Sequence, residues 1–270
     1  MEFGIKKYLY KYPSVVELRN KKNFFSNSGY SFVEDETMDK IQCKIPSPWH
    51  GRSVCVIRND NKWIIIKGSG CPYLSIPYEK TPENKNRYWG MINKEDCYRE
   101  YHMMEKVSNL GIKTSIFSSI NKIIGDFGTH IQPYNLIYTL ENPLRLIDLD
   151  FLNYKKKNLV KNKLTDNSKF DEVHLTVTDF ISDQIYILYT NGIVHNALST
   201  HNITLSIELI DFESSFEKKT YGEKTFRNLI PRELIHLREI AFSLACWFNE
   251  EYNVTEVDRI IKSKNFYKFL

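Results

Sequence analysis

Apolar positions along the 270-residue chain change their spacing from one half to the other. The first half holds short runs rich in Val and Ile. Residues 52–58 (RSVCVIR) and 62–67 (KWIIIK) are two of them. The polar Asn59-Asp60-Asn61 between them is a turn signal, so the pair predicts a β-hairpin. Residues 94–109 (KEDCYREYHMMEKVSN) suit a helix that Leu110-Gly111 stops, and 112–118 and 131–139 read as further strands. From residue 170 the spacing turns helical. Val173, Val177, Phe180, Ile181, Ile185 and Leu188 share one face until Asn191-Gly192 ends the pattern. Short strands are expected at 203–206 and 207–210. Residues 231–249 run apolar behind Pro231, read as the first position of a buried helix, and 255–268 suit a short last helix. Residues 1–45 are polar and aromatic with weak periodicity, and read as an N-terminal extension packed on the first lobe.

Strands with one helix, then helices, predict an α+β chain in two lobes. The expected division is an extension over 1–45, a β-rich N-lobe over 46–140 and a mainly helical C-lobe over 141–270, with the boundary in the 140–170 region. An apolar share of 42% is enough to fill the core of such a chain, and eleven Gly with nine Pro exclude a fibrous or disordered one. A net charge of +4 is too mild for a nucleic-acid binder, which needs a concentrated basic stripe. The one basic run, Lys155 to Lys169, reads as a solvated loop between the lobes, with a docking surface for an acidic partner as the second reading. Five cysteines, Cys43, Cys55, Cys71, Cys97 and Cys246, are odd in number and form no CxxC, which suggests neither a disulfide framework nor a zinc site. Reduced thiols fit a cytoplasmic protein, as does the lack of a signal-like apolar run in MEFGIKKYLYKYPS. No stretch of about 18 apolar residues occurs, so no membrane partner is expected.

Four pieces carry chemistry. Lys67 ends the strand WIIIK, where an ammonium reaches the phosphates of a nucleotide lying under the hairpin. Glu100, on the following helix, is placed to pair with it and hold it extended, with Glu105 as the rival. GIVHNALSTHNI, residues 192–203, follows a long helix where a kinase places its catalytic loop, patterned H-R-D-L-x-x-x-N. His195, Leu198 and Asn202 match that pattern, while Ala197 stands at the place of the catalytic Asp. Asp211, in ELIDFES, lies nine residues after Asn202 at the place of the Asp of D-F-G, with Glu213 where the Gly belongs. An Asn and an Asp so spaced supply the oxygen ligands that Mg²⁺ (or Mn²⁺) takes while it bridges phosphates. A kinase-like fold with ATP as ligand follows from that order of residues.

Three stretches, KGSGCPY at 67–73, REYHMMEKVSNLGIKT at 99–114 and HNALSTHN at 195–202, resemble motifs of the selenoprotein O (YdiU) family. Its members have a pseudokinase fold and transfer AMP to protein hydroxyls. The resemblance covers residues 49–215 in separated blocks. It implies that Lys67 binds phosphate, that Glu100 is its ion-pair partner, and that Asn202 and Asp211 hold the metal. Gly51 and Arg52 match the second half of the family's glycine loop, whose first Gly is replaced by Trp49. Arg145 resembles the second of two phosphate-binding arginines; the first falls on Tyr138. The family's general base falls on His201, whose neutral imidazole is able to accept a proton; a structural role for this His is the other reading. The implied activity is AMP transfer from ATP to a hydroxyl of a protein or peptide. Phosphoryl transfer and a non-catalytic, nucleotide-binding pseudokinase are the alternatives.

Overall fold

In a computed structural model the Val- and Ile-rich runs form strands. The structure describes residues 23–25, 30–34, 40–44, 53–57, 62–68, 92–122 and 134–270. By contact the chain divides into two compact units, one from residues 1–102 and 116–143, the other from 103–115 and 144–270. Secondary structure is mixed α+β.

The first unit is built on an antiparallel sheet. Its strands are β1 (Asn23–Phe25), β2 (Tyr30–Glu34), β3 (Lys40–Lys44), β4 (Ser53–Ile57), β5 (Trp63–Lys67), β6 (Ile116–Lys122) and β7 (Tyr134–Leu140). They lie in the order β1-β2-β3-β4-β5-β7-β6. The expected hairpin is β4–β5, in the register Ser53↔Lys67 to Ile57↔Trp63. β5 also pairs with β7, setting Lys67 opposite Leu136. The two further strands start later than their sequence pattern suggests, at Ile116 and Tyr134. Within 1–45, the described residues supply three strands of the same sheet, so this stretch contributes structure of its own beyond an extension. Ile65, Ile66, Leu136, Tyr138 and Leu140 are buried in the sheet, and β-branched Ile and aromatic Tyr both suit a strand.

Helix α1 (Lys94–Asn109) has the residue bounds that its pattern predicts. The Asn93 side chain accepts from the Asp96 amide at 2.7 Å and starts it, and Gly111, at φ +77°, closes the turn beyond it. Its first turns belong to the first unit and its last turns to the second.

The second unit is helical. It holds α2 (Tyr154–Thr165), α3 (Val173–Thr190), α4 (Lys218–Tyr221), α5 (Glu223–Phe248) and α6 (Val254–Ser263), with a two-stranded ribbon of β8 (Ile193–Val194) and β9 (Phe216–Glu217). The apolar face of α3, from Val173 through Ile181 and Ile185 to Leu188, is buried, except that Phe180, expected on it, is exposed; Ile230, Leu237, Ala241 and Leu244 of α5 and Val257 and Ile260 of α6 are buried too. Each fully buried Val, Leu or Ile side chain among these stabilises by about 1.5–3 kcal/mol.

Three expectations need correction here. The lysine run is a helix over Tyr154–Thr165, with no buried residue. Asn153 caps it by accepting from the Lys156 amide, and Lys is a good helix former, so charge alone did not make a loop. Pro231 lies well inside α5, on its exposed side, because the helix begins at Glu223 after Gly222. Residues 203–210 form no strands. They make a tight turn in which the Thr204 hydroxyl receives the Ser206 and Glu208 amides at 3.2 and 3.1 Å and donates to the Glu208 carboxylate at 2.9 Å. The turn holds Ile207 at φ +58°, a strained value for a β-branched residue.

Candidate functional site

Two clusters, one in each unit, hold the described candidates. In the first unit Lys67 stands at the end of β5 and Glu100 on the second turn of α1. The Lys67 ammonium donates to Glu100 Oε2 at 2.6 Å, and both side chains are almost fully buried, at 4% and 2% exposure. Glu105 is exposed, so α1 turns Glu100 rather than its rival toward the sheet. Two opposite charges out of water cost several kcal/mol each unless they meet closely, and here they do. The strand then turns at Gly68, φ +88°. A Cβ there would lie 2.6 Å from Ile92 Cγ1 and 2.7 Å from the Tyr134 carbonyl, so no other residue fits this exit from β5. Gly51 and Arg52 lie outside the described residues.

The second unit carries the loop after α3. His195 is wholly buried. Its Nε2–H donates to the Ile210 carbonyl at 3.0 Å, and its Nδ1 accepts from the Ala197 amide at 3.3 Å. Burial lowers its pKa to about 4 against a small upward pull from Asp211, so the ring is neutral and the two bonds fix one tautomer. The ring also packs on Phe212, with centroids 4.6 Å apart. His195 thereby ties the loop to the segment that carries Asp211. Asn202 reinforces the tie: its backbone carbonyl accepts from the Ile210 amide at 3.0 Å, and its side-chain NH₂ donates to the Ala197 carbonyl at 2.8 Å. That bond leaves the Asn202 amide oxygen as the end available to a ligand.

Asp211 adopts the left-handed conformation, φ +65° and ψ +57°. A non-glycine residue there costs of order 1 kcal/mol or more and persists only when its surroundings impose it, a pattern concentrated at functional sites. Its carboxylate and that of Glu213 have oxygens within 4.8 Å of each other. Spacing pointed to Asp211 and Asn202; Glu213, noted only as a replaced Gly, adds a third hard oxygen donor to the same loop.

Arg145 and His201 lie near enough for the guanidinium charge to act on the ring. Arg145 bridges to Thr204, and its amide donates to Asp148 Oδ2 at 2.7 Å. The outer edge of His201 meets solvent. Partial burial lowers its pKa, the Arg145 guanidinium lowers it further, and Asp148 opposes both. A neutral imidazole at neutral pH follows. Ala197 presents only backbone groups, so no carboxylate stands at the place of a kinase's base.

Sequence reasoning missed Glu233. This α5 carboxylate is buried, accepts from the Tyr189 hydroxyl at 2.9 Å and from the Asn196 amide at 2.8 Å, and so braces the loop that holds His195. Burial raises its pKa to about 7 despite those bonds. A buried Glu amid the apolar pattern of α5 was the available signal.

No protein-family model matches this chain, and no curated protein matches its sequence.

Proposed function

We propose that this chain is an ATP- and metal-dependent transferase with a kinase-like fold, which moves AMP onto a hydroxyl of a protein or peptide. The carrying observation is the loop in which neutral, buried His195 fixes Asn202 beside an Asp211 held at positive φ. The donor set fits a hard divalent cation such as Mg²⁺ or Mn²⁺: the Asn202 amide oxygen and the Asp211 carboxylate, with Glu213 close by. Such an ion would neutralise phosphate charge and polarise the phosphorus under attack.

The chain's own residues supply the rest. Lys67, held extended by Glu100, offers an ammonium to nucleotide phosphates, and Arg145 a guanidinium. Neutral His201 accepts the proton of the attacking hydroxyl. AMP transfer breaks the bond between the α- and β-phosphates and releases pyrophosphate; the acceptor oxygen takes the α-phosphorus. A non-catalytic, nucleotide-binding role is favoured by one specific observation, the missing carboxylate at Ala197.

Incubation of the full chain with ATP, a divalent metal and a mixture of acceptor proteins tests the reading. Label on the α-phosphate, but not the γ-phosphate, is expected in the acceptor, and Asp211→Ala is expected to abolish it together with metal-dependent ATP binding. Label from the γ-phosphate alone identifies phosphoryl transfer. Tight ATP binding without transferred label identifies the non-catalytic role.

A further inference from the structure

Away from the His195 loop, the second unit has a groove of about 600 Å³ where the end of α3 meets β9, α4 and the first turns of α5. Its floor is apolar and closed: Tyr189 and Phe226 are each 2% exposed. Its rim is cationic. Lys106, Lys218, Lys219, Arg227 and Lys268 line it, against the two carboxylates of Glu217 and Glu223. Both acids are already engaged. Glu217 receives Lys106 and, at 3.6 Å, Lys219; Glu223 receives Lys218 and, at 2.8 Å, Arg227. Arg227 also donates to the Leu270 oxygen at 2.7 Å and Lys268 to the Tyr186 hydroxyl at 2.5 Å. Five cationic side chains against two acidic ones still leave the lining with a positive excess.

We propose that this groove binds an acidic, extended segment of a partner polypeptide. The cations stand on four separate elements around the rim, and the two glutamates interleave them. A compact phosphate group needs several donors converging on one point, whereas carboxylates spaced along an extended chain meet dispersed ammonium groups one at a time. The rings of Tyr189 and Phe226 are buried, and Phe269, the third ring of the lining, already packs edge-on against Tyr186 and Tyr189 with the Lys268 ammonium 4.8 Å from its centre, so the groove lacks the row of open faces on which single-stranded nucleic acid stacks. Lys219, Arg227 and Lys218 are 75%, 52% and 45% exposed, so their charged ends reach a ligand without moving the fold. The groove also touches the loop described above through covalent structure. Gly192 lines it and leads into β8, and Glu217 lies on β9, paired with Ile193. A bound segment presses on the ribbon that carries His195. The proposal does not depend on the nucleotide reading, because it concerns binding measured with no ATP present.

Fluorescence anisotropy of a labelled oligo-glutamate peptide, titrated with the full chain, tests it. Saturable binding that weakens as salt screens the charges is expected. Lys218→Gln with Lys219→Gln should weaken binding about tenfold. Lys219→Gln with Lys268→Gln, which leaves the Lys218–Glu223 pair intact, should do the same and serves where the first variant melts early. Lys155→Gln with Lys156→Gln, on the exposed face of α2, should leave affinity unchanged. Equal loss in the α2 variant, unchanged affinity in both groove variants, or absence of peptide binding at low salt overturns the proposal. So does preference for oligothymidylate or for vesicles of anionic lipid over the peptide, which would assign the groove to another class of partner.

Discussion

Glu233 and His195 face the same loop and titrate in opposite senses. Glu233 keeps its proton in the fold up to about pH 7, whereas an unfolded glutamate loses it near 4.5. Between those values the folded state binds more protons, so stability from this group is complete below the lower value and is lost as pH rises to the upper one. His195 refuses a proton in the fold until about pH 4, whereas an unfolded imidazole takes one near 6.5. Its contribution is complete above 6.5 and is lost as pH falls. Over most of the same window the two oppose each other. Glu233→Gln should therefore steepen the rise of unfolding free energy between pH 4.5 and 7, by up to roughly 3 kcal/mol across the window. Urea unfolding followed at several pH values reads this out; an unchanged slope would mean that the Glu233 carboxyl titrates normally. The two residues also differ in legibility. His195 stands in a recognisable string, because its partners lie within a few residues of it and fifteen residues on at Ile210. Glu233 bonds to groups 37 and 44 residues away, and nothing local marks that pairing.

At the scale of elements, periodicity was a good guide wherever burial has a regular face. Helices α1 and α3 follow their apolar spacing because one side of each meets a core, and the hairpin β4–β5 follows its Val- and Ile-rich runs because they pair in register. It misled where no face is buried, as in lysine-rich α2, and where a strong local rule met tertiary support, as at Pro231. There the ring removes an N–H from the interior of a 26-residue helix and leaves the Arg227 carbonyl without its partner four residues on. The helix continues because Phe226, Ile230, Leu234 and Leu237 bury the opposite side. Since Pro231 itself is exposed, Pro231→Ala restores the bond without disturbing the core. It should stabilise the chain by about 1–3 kcal/mol, measured as a higher thermal midpoint. A lower midpoint would show that the proline sets a bend the packing needs. The turn at 203–210 escaped the same reading for the converse reason. Its apolar alternation resembles a hairpin, but Thr204 side-chain bonds close a tighter loop around strained Ile207.

For the whole molecule, the order of units along the chain was harder to foresee than either unit. One boundary was expected, in the 140–170 region; by contact the chain crosses between units three times, at His102–Met103, Ser115–Ile116 and Pro143–Leu144. The inserted segment is bound firmly into the second unit. The Leu209 amide donates to the Lys113 carbonyl at 2.9 Å, the Thr114 hydroxyl to the Leu209 carbonyl at 2.6 Å, and the Lys113 amide to Gln184 at 3.0 Å. Met104, Val107 and Ile112 are buried with it. At about 1.5–3 kcal/mol for each such side chain, the segment's apolar burial approaches the net stability of a whole domain. A fragment starting at Leu144 should therefore keep helical circular dichroism yet melt without a cooperative transition and bind a hydrophobic dye. A sharp melt in that fragment would show that the inserted segment is dispensable.

The same insertion sets a timetable for synthesis. Residues 103–115 leave the ribosome early, while Leu209, the partner of Thr114, follows 95 residues later. At about 5–20 residues per second the wait is roughly 5–20 s. Through that interval Met104, Val107 and Ile112 have no finished core to enter. The second unit thus closes only after the segment around Leu209 has been made, and the newborn chain passes through a period in which chaperone capture of this short stretch competes with its own folding.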